Sequence, residues 1–153
     1  MEEEVKILAE EGYKEIVLTG IHLTSYGIDF KDEGIDFLTL IKRLHAIDGI
    51  ERIRFGSLEP RVITETFAEE LSKLPKICPH FHLSLQSGCG DTLKRMNRHY
   101  TCEEYAERCA ILRKYFENPA ITTDVIVGFP GETDADFETT REFLEKVHFY
   151  EMH

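Results

Sequence analysis

The chain has 153 residues, of which 42% are hydrophobic and 31% are charged, a balance typical of one globular domain rather than of a disordered or fibrous chain. No apolar run approaches the roughly 18 residues of a membrane span, and the start at Met1 lacks the basic and apolar segments of a signal peptide. We therefore expect a cytoplasmic protein without a membrane partner. The formal charge of −11 argues against a surface that itself attracts nucleic acid phosphates, and DNA is not expected as a partner.

The hydrophobic pattern alternates between short β-branched runs and longer stretches of helical period. In chain order we expect a helix over residues 2–11, a strand at 15–19, a helix around 37–44, a strand at 52–56, a helix after Pro60, a strand at 81–85, helices at 91–96 and 102–116, a strand at 121–127 and a helix at 134–147. Residues 149–153 have the pattern of a fifth strand. Thr101 and Glu104 are spaced as a capping box for the helix that follows them.

Strands that alternate with helices pair in parallel through right-handed crossovers. The order is therefore typical of parallel (βα) repeats, which form either an open doubly wound sheet or part of a barrel. In both architectures the loops after the strands carry the active site. These loops are Gly20 to His22, Ser57 to Pro60, Gln86 to Gly90, and Gly128 to Glu132.

The loop after the third strand is the richest in candidate ligand groups. Gln86 and Ser87 offer neutral hydrogen bonds, while Arg98 offers a planar guanidinium to a carboxylate. Such a loop suits a small polar ligand, although an ordinary glycine-rich turn followed by a solvated basic helix has the same composition.

The loop after the fourth strand, residues 128–132, is not a nucleotide phosphate loop, because no Lys-Ser or Lys-Thr pair follows it. Ile126 and Phe129 could supply apolar area to a flat ring beside Gly128, and the alternative is a rigid strand-to-helix turn.

Two acidic residues and three histidines complete the candidates. Glu59 follows the second strand, and Asp124 is an acid within an apolar strand, where its charge needs a partner or a ligand. A structural ion pair explains both equally well. His80 and His82 form an H-x-H pair, but they lie at the start of their strand, so we expect packing or solvent-facing side chains; His22 is better placed.

The four cysteines lack the close spacing of a structural zinc site. A cytoplasmic chain is also not expected to form disulfides. We therefore expect four reduced thiols that serve in packing, namely Cys78, Cys89, Cys102 and Cys109.

Several segments, taken in their order along the chain, together resemble one known family over essentially the whole chain. They are residues 15–27, 83–89, 96–98 and 123–133. The chain resembles the radical S-adenosylmethionine methylthiotransferases, which modify tRNA. Ile21-His22, residues 56–60 and the final residues 151–153 are more similar to the branch that acts on threonylcarbamoyladenosine beside the anticodon. The alternatives are the isopentenyladenosine branch and the ribosomal-protein methylthiotransferases.

The resemblance implies a partial TIM-like barrel that works with S-adenosylmethionine, two [4Fe-4S] clusters, an electron donor and a tRNA substrate. It also implies a cofactor-binding set within this chain. The charged and amide side chains would contact the methionyl and ribose parts of the cofactor, and Ile126, Gly128 and Phe129 would lie beside the adenine. The set comprises Glu59, Gln86, Ser87, Arg98, Asp124, Ile126, Gly128 and Phe129.

One motif of the family is absent. Its radical cluster is held by three cysteines spaced C-x3-C-x2-C, and the sequence contains no such motif. We therefore expect residues 1–153 to be the central part of the radical domain, truncated at both ends, with the cluster cysteines and the N-terminal and RNA-binding domains outside it. Such a chain would have no catalytic residue or metal ligand of its own, would be inactive alone and would bind S-adenosylmethionine weakly.

Two hypotheses from other classes remain. A metal-dependent (βα)-barrel hydrolase would use His22, His80, His82 and a carboxylate such as Asp124. A noncatalytic binding module would be favoured if no cysteine motif existed elsewhere in the parent protein.

Overall fold

The structure is a computed structural model that describes residues 1–20, 23–27 and 34–153. Within them the α-helices are Glu2–Glu10 (α1), Phe37–His45 (α2), Glu65–Ser72 (α3), Gly90–Arg95 (α4), Cys102–Tyr115 (α5) and Asp134–Val147 (α6). The strands are Glu15–Leu18 (β1), Arg52–Phe55 (β2), Ser57–Leu58 (β3), His80–Leu83 (β4), Ala120–Thr123 (β5) and Glu151–Met152 (β6). Short 3-10 turns lie at Leu23–Ser25 and Pro60–Val62.

All strand pairs among the described residues are parallel, and neighbouring strands follow chain order. β1 pairs with β2, and β3, β4, β5 and β6 pair in sequence. Ile53 joins the two groups, because its amide donates to Lys76 O at 2.7 Å and its carbonyl accepts from Cys78 N at 3.0 Å. A doubly wound sheet reverses its strand order, whereas a barrel wall does not. The expected parallel α/β fold is confirmed, and its order is that of a partial barrel.

Alternate residues of each strand lie on opposite faces of the sheet. Phe55 in β2 and Phe81 and Leu83 in β4 are buried in the core shared with the helices. Arg54 and His82, which alternate with them, are only half-buried and lie on the other, concave face. Ligand-accessible side chains of the strands therefore come from this concave face.

The strands β4 and β5 are shorter than the sequence pattern predicts. The buried Thr123 hydroxyl donates to Leu83 O at 2.6 Å and accepts from Leu85 N at 3.0 Å, so a side chain replaces the backbone ladder at this point. After the last ladder pair, His82 and Thr122, pairing resumes only as a bridge between Gln86 and Val125. The predicted strand 52–56 is likewise followed, after Gly56, by the separate strand β3.

The helix and strand termini match several sequence signals. The capping box of Thr101 and Glu104 is confirmed at the start of α5, and an analogous box of Thr133 and Asp136 begins α6. The fifth strand expected near the end of the chain is present as β6, beside β5. No helix in the described ranges is long and apolar enough to cross a membrane.

Candidate functional site

Gln86, Asp124 and Ile126 lie side by side where the paths of β4 and β5 continue beyond the strands. Gln86 N donates to Asp124 O, and Ile126 N donates to Gln86 O, both at 2.9 Å. Gln86 has a φ of 73°, which costs a non-glycine residue about 1–2 kcal/mol. Ile126 is 44% exposed, so an apolar surface lies next to the polar groups of Gln86 and Asp124. The structure thus brings together three of the residues predicted from the sequence.

Glu59 and Arg98 line one cleft of about 330 Å3 between the end of β3 and the segment after α4. Its size is within the range of small-molecule sites. An acid and a guanidinium that face the same cleft can engage the ammonium and the carboxylate of an amino acid. The walls are formed by Ser57, Leu58, Glu59, Pro60, Arg61, Ser84, Asn97, Arg98, His99 and Tyr100.

Tyr100 ties this cleft to β4. Its hydroxyl lies 2.8 Å from Ser84 O and 2.7 Å from Leu85 O, to which it donates. Burial raises the pKa of Tyr100 to about 12, so the phenol remains a donor throughout the physiological range. The sequence pattern alone indicates no role for Tyr100.

Asp124 has a protein partner. Its Oδ2 lies 3.2 Å from His82 Nε2, and His82 Nδ1 lies 3.0 Å from Thr122 Oγ1. The expected partner for the Asp124 charge is therefore confirmed. His82 is a half-buried packing side chain, as predicted, and its ring reaches Asp124 beyond the end of β4.

Ser87 does not join the other candidates. Its side chain is fully buried, with Oγ 3.1 Å from Thr140 Oγ1 on α6 and 3.1 Å from Cys89 N. The hydroxyl therefore lies on the helix side of the sheet, opposite to the concave face. The prediction that Ser87 offers its hydroxyl to a ligand differs from the structure for this reason.

Gly128 and Phe129 form a turn that Glu132 closes. Glu132 Oε2 accepts hydrogen bonds from the amides of Gly128 and Phe129. Gly128 has a φ of 73°, a conformation that favours glycine. The two amides are used within the turn, which supports the interpretation of a rigid strand-to-helix connection. Gly128 and Phe129 remain next to Ile126 along the chain, and sequence reasoning missed the role of Glu132.

Metal ligands form no candidate centre in the described part of the chain. No group of three or more His, Cys, Asp or Glu residues there could hold a metal ion, and His22 lies outside the described residues. The four cysteines are buried, and two of them donate hydrogen bonds, Cys89 to Asp136 and Cys102 to Gly88 O. Burial also raises the pKa of Cys102 to about 11. These thiols do not fit the ligand set of an iron-sulfur cluster.

The donor groups do fit S-adenosylmethionine. Arg98 matches a carboxylate, Glu59 an ammonium, and Gln86 and Asp124 ribose hydroxyls. Exposed Ile126 provides an apolar surface of the kind that packs against a purine.

Two curated relatives with similar sequences share one enzyme name. The chain is 43% identical over 149 residues to the tRNA-2-methylthio-N(6)-dimethylallyladenosine synthase of Clostridium botulinum strain Okra, covering 97% of this chain and 33% of that protein. It is 48% identical over 146 residues to the synthase of Thermoanaerobacter sp. strain X514, covering 95% and 31%. The chain thus spans about a third of the length of these curated relatives.

Solved structures share the fold at low sequence identity. Coproporphyrinogen III oxidase (HemN) from Escherichia coli, a radical SAM enzyme, matches with a TM-score of 0.72 at 14% identity, over 99% of this chain and 35% of that one. The radical S-adenosylmethionine methyltransferase TsrM from Kitasatospora setae matches with a TM-score of 0.71 at 16% identity, over 98% and 28%. The model of the radical SAM superfamily matches residues 1–144. With this match over nearly its whole length, the chain belongs to the radical SAM superfamily.

Proposed function

We propose that the chain forms the S-adenosylmethionine-binding part of a tRNA methylthiotransferase that modifies dimethylallyladenosine. The observation that carries the proposal is the 43–48% identity to tRNA-2-methylthio-N(6)-dimethylallyladenosine synthases over 95–97% of the chain. This identity favours the isopentenyl (dimethylallyl) branch, which the sequence analysis held as the alternative, over the threonylcarbamoyladenosine branch. The positions Ile21 and His22, on which the latter depended in part, lie outside the described residues.

The candidate residues have separate roles in this proposal. Arg98 binds the methionyl carboxylate, and Glu59, across the same cleft, binds the amino group or the ribose. Gln86 and Asp124 bind the ribose hydroxyls, and Ile126, with Gly128 and Phe129, flanks the adenine. Ser87 does not contact the ligand in this proposal, since its hydroxyl bonds to Thr140 on α6.

S-adenosylmethionine held by Glu59, Gln86, Arg98 and Asp124 would, together with a [4Fe-4S] cluster, supply the radical chemistry needed at C2 of the adenosine base. The cluster cysteines lie outside residues 1–153 in this proposal, since the four thiols of the chain are buried in packing. A second cluster, an electron donor and a cytoplasmic location complete the proposed enzyme.

The cofactor site is tested by calorimetric titration of the full-length, cluster-loaded protein with S-adenosylmethionine. Arg98→Gln is expected to weaken binding about tenfold or more, because a charge-assisted hydrogen bond is lost. Arg141→Gln is the matched control, since Arg141 pairs with Glu138 and Glu145 on the exposed face of α6. Equal binding by the wild-type protein and Arg98→Gln would contradict the assignment of Arg98.

The substrate is tested by mass spectrometry of tRNA incubated with the same protein and a reductant. We expect a methylthio group on tRNA that carries dimethylallyladenosine. Modification of threonylcarbamoyladenosine or of a ribosomal protein instead would assign the enzyme to the corresponding alternative branch.

A further inference from the structure

His82 lies next to Asp124 on the concave face and is more deeply buried. The His82 side chain is 17% exposed, whereas the Asp124 side chain is 46% exposed, and their closest atoms, Nε2 and Oδ2, are 3.2 Å apart. We infer that His82 is a positioning residue, which orients the Asp124 carboxylate toward the ribose of S-adenosylmethionine. The inference rests on the proposed function and adds to it a residue that does not itself touch the ligand.

For an ionised Asp124 and a neutral His82, the hydrogen-bonding capacity of the three side chains fixes the direction of each bond. An ionised carboxylate only accepts hydrogen bonds, so Nε2 of His82 is the donor to Asp124 Oδ2. In a neutral imidazole the other nitrogen is then an acceptor, and Nδ1 accepts from the Thr122 hydroxyl at 3.0 Å. Thr122 is 5% exposed and is the partner of His82 in the register of β4 and β5. The Asp124 carboxylate thus sets the tautomer of His82, since the Thr122 hydroxyl can either donate or accept.

The bond to His82 leaves part of Asp124 for a ligand. It engages Oδ2, while Oδ1 keeps its acceptor sites for a hydroxyl donor. The backbone carbonyl of Asp124 accepts from Gln86 N, so the main chain of Asp124 is held next to the second candidate ribose contact. With its backbone and one carboxylate oxygen held, Asp124 loses less side-chain freedom when the ligand binds.

His80 offers an internal control. It lies two residues earlier on the same face of β4, but its Nδ1 is buried without a hydrogen-bond partner among the described residues. Burial lowers the pKa of His80, and nearby Arg54 and His82 act in the same direction against the opposing effect of Glu151. Removal of the His80 ring therefore changes the same strand and face without removing the bond to Asp124.

The experiment uses the full-length, cluster-loaded protein and S-adenosylmethionine. The dissociation constant is measured by calorimetry, and KM and kcat are measured from 5′-deoxyadenosine formation. His82→Leu is expected to raise the dissociation constant and KM about tenfold, the value of one charge-assisted hydrogen bond, with a smaller change in kcat. His82→Gln, whose amide can donate as Nε2 does, is expected to remain within about threefold of the wild-type protein, and so is His80→Leu.

A double-mutant cycle separates positioning from general support of the fold. Asp124→Asn should itself weaken binding, and His82→Leu should add little to it, because the interaction of His82 passes through Asp124. The cycle is also made with His82→Asn, whose shorter amide places no donor at Nε2, so that poor folding of His82→Leu does not remove the test. Additive losses would overturn the inference.

The outcomes distinguish this inference from the proposed function. A wild-type protein that neither binds S-adenosylmethionine nor forms 5′-deoxyadenosine would overturn the proposed function and this inference with it. A wild-type protein that does both, with binding unchanged in His82→Leu and His82→Asn, would overturn only the role of His82. Equal losses in His80→Leu and His82→Leu would do the same.

Discussion

Gly88 is a position where one added methyl group should disturb the candidate site from the side of the sheet that packs against α6. A Cβ at Gly88 would lie 2.8 Å from Phe143 Cβ and 3.0 Å from Thr140 Cα, both on α6. The first distance is about 0.6 Å shorter than the lower limit of ordinary van der Waals contact. Neither atom can rotate away, because one is backbone and the other is attached to it. Gly88→Ala must therefore move α6 or the loop that contains Gln86 two residues earlier.

Overpacking of this kind costs about 1–3 kcal/mol, which lowers the melting temperature by roughly 5 °C in a protein of this size. Urea unfolding followed by circular dichroism measures the loss. Gly90→Ala is the matched control, because a Cβ at Gly90, the first residue of α4, meets no atom within 4 Å. Alanine at this helical position should be neutral or stabilise by up to about 1 kcal/mol. Unchanged stability of Gly88→Ala, or equal losses in both variants, would refute the reasoning.

Three further predictions concern the same region. Thr123→Val should lower the free energy of unfolding by about 1–3 kcal/mol in urea titration, since it leaves the buried Leu85 amide without its acceptor. The pKa of Asp136 is lowered from 3.8 to about 2, chiefly by the Thr133 amide. Its contribution to stability is therefore complete above about pH 4 and is lost as the pH falls toward 2, so Asp136→Asn should flatten acid unfolding in that window. Gln86→Gly should relieve the left-handed backbone, raise stability by up to about 1 kcal/mol and weaken calorimetric S-adenosylmethionine binding. Opposite changes would contradict each argument.

Local signals predicted the frame of the fold. The alternation of β-branched and helical segments predicted parallel strands, and the Thr101 and Glu104 spacing predicted the start of α5. A capping box consists of residues three apart in sequence, so its geometry is complete within one turn. The choice between an open sheet and a barrel was beyond such signals, because it depends on which strands become neighbours.

The burial of Ser87 could have been predicted from the pattern of β4. Phe81, Leu83 and Leu85 occupy every second position and are fully buried toward the helices. Ser87 is the next residue in that series, and it continues on the same side of the sheet. Its hydroxyl therefore meets Thr140 instead of the concave face. The alternation of buried and exposed positions, extended past the end of β4, therefore predicts the place of the Ser87 side chain better than the suitability of its hydroxyl for a ligand does.

The contact of His82 with Asp124 could not be predicted in this way. It depends on the register of β4 against β5, which places His82 opposite Thr122 and within reach of the residue two positions further on. The chain separates His82 and Asp124 by 42 positions, and no local pattern sets that register. The place of His82 within β4 therefore does not by itself indicate that its ring contacts Asp124.

The site is located where β4 and β5 separate, and the separation has a cause in the sequence. The Thr123 hydroxyl occupies the place of ladder hydrogen bonds, and the strands pair again only at Gln86 and Val125. Re-pairing requires the left-handed backbone of Gln86, which two backbone hydrogen bonds hold in place. Strain of this size persists only where its surroundings determine it, and it is concentrated at functional sites. The same break leaves Asp124 half-exposed beside Gln86, so one buried threonine hydroxyl accounts for both the interruption of the sheet and the polar groups exposed there.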